Sequence, residues 1–190
     1  MEHLREDVEE ILFRLAERAA DDPGLSRRVV RAVRVAMRLA IWESRIARAP
    51  RLFDELKAVS VRWARWRAPR LRDALGIDVD DLGDLGRIQD WEDRLFQVEG
   101  HWVARDRCTA EKHETACPFS DLAALEPRIC TEVVHELETE TFRALNPRYR
   151  LVPLERLLSK GDAACVFRHE LQQLSLHEED GARVSADGAA

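Results

Sequence analysis

The strongest constraint on the fold lies in the first 75 residues, where apolar side chains recur at helical spacing between hard chain breaks. Residues 3–20 place Leu4, Val8, Ile11, Leu12 and Leu15 on one face of a predicted helix. Acids crowd its beginning, where the helix dipole favours them. Asp21-Asp22-Pro23-Gly24 stops it. A second helix is predicted from Leu25 to Ala49, with Val29, Val33, Met37, Ala40 and Ile41 as its apolar stripe, and Pro50 ends it. A third, from Arg51 to Leu75, carries Leu52, Leu56, Val59, Trp63 and Trp66; Pro69 is expected to kink or split it. Trp42, Trp63 and Trp66 are expected to anchor the core or an interface.

Beyond these helices the periodicity changes. Residues 76–87 form an acidic, glycine-punctuated connector between a helical region (1–75) and a cysteine-bearing α+β domain (88–176). Leu95-Phe96-Gln97-Val98 and His101-Trp102-Val103-Ala104 read as strands about a Glu99-Gly100 turn. Residues 110–119 read as irregular. Ser120 to Leu145 reads as a helix with a break or fresh first turn at Pro127, stopped by Asn146-Pro147. Tyr149–Leu158 and Ala164–Leu174 read as a β-hairpin turning on Ser159-Lys160-Gly161-Asp162. Residues 177–190 have the composition of a disordered tail. The expected fold is α+β: an N-terminal helical region packed on a small antiparallel sheet with one long helix.

The formal net charge of −6 conceals opposed blocks. Residues 24–72 hold 14 Lys and Arg against 3 acids, whereas residues 1–23 hold 3 against 8. Arg27, Arg31, Arg34, Arg38, Arg45 and Arg48 fall within an arc of about 100° on a 3.6-residue helix. In one reading the blocks neutralise each other, within the fold or across a dimer. In the other, the basic face binds an anion, with Arg34 and Arg38 holding a substrate carboxylate. Nucleic acid is a poor partner, because no recognised motif accompanies the arginines and the isoelectric point is about 5.6. No apolar run approaches the roughly 20 residues of a membrane helix. The acidic start, Met1 to Asp7, lacks the apolar core of a signal peptide. A cytoplasmic protein with reduced cysteines is expected.

The four cysteines, Cys108, Cys117, Cys130 and Cys165, fall in the last half of the chain. Their spacing contains no CxxC pair, which excludes a zinc ribbon or knuckle. Two alternatives stay open: small buried hydrophobes, or a composite site drawn from separate elements. In the composite site Cys108, Cys130 and Cys165 would hold zinc or iron. Cys165, Cys130, Glu155, Asp162, His135 and His169 are the chemically capable side chains of this stretch. Each has a structural counterpart: Asp162 suits a tight turn, Glu155 a solvated face, and His169 an edge strand.

The run Trp102-Val103, Cys108, Cys130 and Glu155 through Arg168, centred on Gly161-Asp162-Ala163-Ala164-Cys165-Val166-Phe167, resembles the C-terminal half of the L-2-amino-thiazoline-4-carboxylate hydrolase family. More distantly it resembles the vinyl-reductase-type small-molecule-binding domains, which share the Gly-Asp-x-x-Cys hairpin and bind zinc in some phenol sensors. The resemblance covers roughly residues 88–172. Leu157-Leu158 stand where those sensors place a cysteine, and the acids after Cys130 are Glu132 and Glu136. The resemblance implies a small-molecule hydrolase of a non-peptide C–N or C–S bond in a cyclic amidine or thioimidate, in which Cys165 or Cys130 would serve as nucleophile, Glu155 or Asp162 would activate water, and His135 or His169 would move protons near neutral pH. The alternative readings are a non-catalytic small-molecule- or metal-binding sensor module and an Arg-rich helical interaction protein. A homo-oligomer is among the expected assemblies.

Overall fold

The computed structural model describes residues 2–46, 51–152 and 155–172, without the side chains of residues 2–9 and 104. The expected end of the second helix at Pro50, and the tail from residue 177, lie outside the described residues. Three helices open the chain: α1 (Glu2–Asp21), α2 (Pro23–Ile46) and α3 (Arg51–Leu75). Asp22 Oδ1 accepts a hydrogen bond from Gly24 N at 2.7 Å, and Pro23 enters α2 at the first turn, where its missing N–H is harmless. Pro69 lies inside α3, which continues to Leu75.

The buried faces follow the expected stripe in α2 and, in part, in α3, where Leu56, Trp63 and Trp66 pack against the core. In α2 Val30, Met37, Ala40 and Ile41 are buried. By contrast α1 buries Phe13, Ala16, Ala19 and Ala20 and leaves Ile11, Leu12 and Leu15 exposed. Likewise α3 buries Phe53, Ala64, Arg67, Ala68 and Leu71, while Leu52 and Val59 face outward. Alanines line these contacts, so the helices approach closely, and the longer aliphatic side chains are left on the outside. Trp42 is exposed and is not a core anchor.

Residues 82–96 are helical (α4, Leu82–Phe96), not connector and strand. Asp81 caps this helix, its Oδ1 accepting from Gly83 N at 2.7 Å, and Gln97 closes it with a left-handed φ of 57°. Its apolar stripe, Leu82, Leu85, Ile88, Trp91 and Leu95, is buried. Gly86 belongs to that face, because a Cβ there would come within 2.8 Å of the Trp102 ring.

Strands β1 (Glu99–Arg105), β2 (Thr109–Ala116), β3 (Tyr149–Leu151) and β4 (Cys165–Leu171) form an antiparallel sheet in the order β1-β2-β4-β3. Residues 109–116, read as largely irregular, are therefore a full strand. Asp106 ties the β1–β2 turn by accepting from Cys108 N at 2.8 Å and Thr109 N at 2.7 Å. The single long helix is replaced by α5 (Ser120–Leu125), a π-helical segment (Ile129–Val134) and α6 (His135–Arg143). Pro127 marks the break, as its lost donor and fixed φ require. The expected hairpin pairs as β3 and β4, joined by a long loop containing a 3₁₀ turn, Leu158–Lys160, and Gly161 at φ 91°.

Pleating puts Ala110, Lys112 and Glu114 of β2 on the covered face, opposite His169, Phe167 and Cys165 of β4 respectively. The α4 stripe packs beneath them with Phe13, Leu71, Phe142 and Tyr149 in one core. The first helices and the cysteine-bearing part therefore share that core. A second cluster joins Val30, Met37 and Ile41 to Phe53, Phe119, Leu122 and Ile129. The protein is α+β, and among the described residues no helix is long and apolar enough to cross a membrane.

Candidate functional site

The covered face of the sheet carries ionisable groups where a core ordinarily carries hydrocarbon. From α4, Gln89 Nε2 donates to Glu114 Oε1 of β2 and to Glu138 Oε1 of α6, both at 3.3 Å. Arg67 of α3, fully buried, forms an ion pair with Glu92 and donates to Thr141 Oγ1 at 2.7 Å. Lys112 Nζ pairs with Asp93 and reaches Asp90 at 3.0 Å. Gln89 Oε1, Glu138 Oε2, Thr139 Oγ1, and Arg67 Nε and Nη1 are buried without a hydrogen-bond partner among the described residues.

Desolvation sets the charge of this network. Burial pushes Glu138 up to about 8, helped by Asp93 and opposed by Lys112 and Arg67. Burial and the neighbouring Glu138 hold Glu114 well above the usual carboxylate range. Asp93 is raised to about 6 by burial against the pull of Lys112. Arg67 is lowered to about 9 by burial, with Glu138 acting in the opposite sense. Burial thus favours the neutral form of both Glu114 and Glu138, and an amide, Gln89, bridges them.

The cysteines gather differently from the expected trio. Cys108 is exposed in the β1–β2 turn, and its carbonyl accepts from Leu171 N at 2.9 Å. It thus lies at the far end of β4 from Cys165, about 20 Å away at the rise of a strand. Cys117 takes its place, within electrostatic reach of Cys130, Cys165 and Glu114. Leu158 N donates to Cys165 Sγ at 3.3 Å. Burial pushes Cys117 up to about 12 and Cys165 up to about 11, and also raises Cys130. These thiols are protonated at neutral pH and poor nucleophiles. Among the described residues no three His, Cys, Asp or Glu side chains are placed to share a metal ion.

The other expected site residues scatter. Asp162 Oδ2 accepts from Leu157 N at 2.8 Å and holds its own turn. Glu155 is exposed at a depression of about 230 Å³ that also includes Glu111, Arg156 and Arg168. His135 is half-buried at the start of α6 and lowered by desolvation. His169 sits on β4 between β2 and β3, not on an edge; burial drives it down to about 3, and its Nδ1 lies 2.8 Å from the Tyr149 hydroxyl. Arg34 is held by Asp121 through two 2.7 Å hydrogen bonds and by the Pro118 carbonyl, which leaves Arg38 alone exposed of the two expected anion holders. An open groove of about 670 Å³ includes Asp90, Asp93, Arg94 and Glu99 and no cysteine.

Gln89, Glu92 and Glu138 were the functional-looking residues that sequence reasoning missed. The first two left a signal, since they interrupt the Leu85, Ile88, Leu95 stripe of α4. Lys112 and Glu114 left none, because β2 is polar on both faces.

No protein-family signature matches the chain, and no curated protein sequence does. Among solved structures, a trafficking protein particle complex subunit 3 from Naegleria fowleri, covalently bound to palmitic acid, superimposes with a TM-score of 0.49 at 12% identity, over 73% of this chain and 95% of that one. The expected thiazoline-type hydrolase is corrected on the site's own geometry: burial raises the Cys117, Cys130 and Cys165 thiols, His169 is buried and lowered, and Glu155 and Asp162 stand apart from them.

Proposed function

We propose that the chain is a non-catalytic binding module whose working surface is the outer face of α2. One observation carries this reading. Val35, Leu39, Trp42 and Ile46 stand between 49 and 66% exposed along a single face of that helix, on the side opposite Val30, Met37, Ala40 and Ile41. Scattered exposed aliphatics are ordinary, but an apolar row containing an exposed tryptophan is the composition of an interface centre. The interior network supports the same reading: protonated thiols and neutral carboxyls stabilise a shape and offer no activated nucleophile. A photo-crosslinking residue at Leu39 is expected to capture protein in living cells, while the same residue at Arg107, exposed on the β1–β2 turn, is not. No adduct at Leu39, or equal capture at both positions, would overturn the reading.

A further inference from the structure

We propose that the partner covering α2 is a second copy of this chain, with α1 of each copy lying along α2 of the other, so that two α1–α2 hairpins stack as a four-helix bundle. This rests on the reading of α2 as a binding surface and names its partner.

The two helices carry matching seams. On α2 the exposed row Val35, Leu39, Trp42, Ile46 steps by four, three and four residues, the spacing of a helix–helix seam. On α1 the positions Leu4, Val8, Ile11, Leu15 step by the same intervals, and Ile11, Leu12 and Leu15 are exposed. Each row runs about 16 Å at the rise of an α-helix. Within the protomer Ile11, Leu15 and the α2 row are left outside, because α1 packs through Phe13 and its alanines and α2 through the opposite face.

Charge favours the same pairing. Helix α1 carries seven carboxylates against three arginines, and α2 six arginines against one glutamate. Although the two helices are neighbours in one hairpin, no ion pair joins them among the described residues. Arg34 and Arg45 are engaged by α5, through Asp121 and the Leu125 carbonyl. Arg31 and Arg38 flank the apolar row, exposed and without an ion-pair partner among the described residues. An anionic membrane would also attract these arginines, but it would repel the carboxylates of α1 beside them. A second copy satisfies both helices at once.

Size and symmetry agree. The seven exposed apolar side chains of α1 and α2 together present on the order of 800 Å² of accessible surface, the share one partner gives to a standard interface. A two-fold axis across the hairpin places each seam on its complement and closes the assembly without leaving a free copy of the surface.

Sedimentation equilibrium of the full chain tests this. At tens of micromolar the protein is expected at twice its 21.9 kDa chain mass. Leu39→Glu, at a solvent-facing position, is expected to keep the circular-dichroism spectrum and weaken association at least 30-fold. The pairing of α1 with α2 is tested by charge reversal. R31E/R38E protein and D7K/E10K protein are each expected to be monomeric, and a mixture of the two is expected to form heterodimers. A monomeric wild type overturns the proposal, and so does a dimer indifferent to Leu39→Glu or a mixture that stays monomeric. Monomeric protein that floats with phosphatidylserine vesicles overturns it in favour of a membrane surface. Crosslinks from Leu39 to a different protein overturn the second copy while leaving the binding-module reading standing; no crosslinks overturn both.

Discussion

Replacing Glu138 by glutamine should make the protein more stable at pH 8 and change it little at pH 5. The carboxyl of Glu138 holds its proton up to about 8 in the fold, against 4.5 for an ordinary glutamate, chiefly because burial penalises the charged form. A carboxyl raised in this way contributes its full stability below pH 4.5 and loses it as pH climbs through 8. The shift corresponds to a ceiling of about 5 kcal/mol, most of which falls between pH 5 and 8. Glutamine reproduces the neutral carboxyl and can still accept the 3.3 Å hydrogen bond from Gln89 Nε2. Comparing variant with wild type at each pH cancels His169, whereas Asp93 and Glu114 interact with Glu138 and contribute to the difference. Asp93, raised to about 6, lowers stability as pH rises. His169, buried and lowered to about 3, adds stability as pH rises toward 6.5. Urea unfolding followed by circular dichroism at pH 5, 6, 7 and 8 reads the difference, which in a chain of this size is worth about 10 °C in melting temperature. A variant and wild type that stay parallel across that range, within about 1 kcal/mol, would refute the account of a protonated interior.

Other perturbations probe other parts of the fold. Arg67→Ala leaves the buried Glu92 carboxylate without its partner and is expected to destabilise by about 3–5 kcal/mol in the same unfolding assay; a loss under 1 kcal/mol would show that Glu92 is not charged in the fold. In native protein at pH 7.5, a thiol reagent is expected to label Cys108 quickly and Cys117, Cys130 and Cys165 slowly, with all four reacting in denaturant. Fast labelling of a second thiol, located by peptide mapping, would contradict the raised thiol values. Gly100→Ala brings a Cβ within 2.7 Å of the His113 backbone oxygen and is expected to cost about 1–3 kcal/mol. Unchanged stability would mean that β1 and β2 are not so close there.

What was legible in the chain follows from local physics. Helical periodicity, proline and glycine stops and dipole-matched acids are properties of contiguous segments, so α1, α2, α3 and the break at Pro127 could be read directly. The same local signals misassigned residues 82–96, because Gly83 and Gly86 read as loop while the Leu82, Leu85, Ile88 and Leu95 stripe ran through them. Gly86 is explained only by the Trp102 ring, sixteen residues away.

The sequence by itself determined that the chain is α+β, where its first helices run, and that its acidic and basic blocks are segregated. Only the tertiary structure decided which face of each helix is inside. Short alanines let α1 and α3 pack closely and left Ile11, Leu15, Leu52 and Val59 outside, although a periodicity count assigned them to the core. It also decided the state of the ionisable groups. Whether Glu114, Glu138 and Cys165 are charged depends on how much water the fold removes from them, and that burial is built jointly by α4, α6, β2 and β4. No one of those segments specifies it alone.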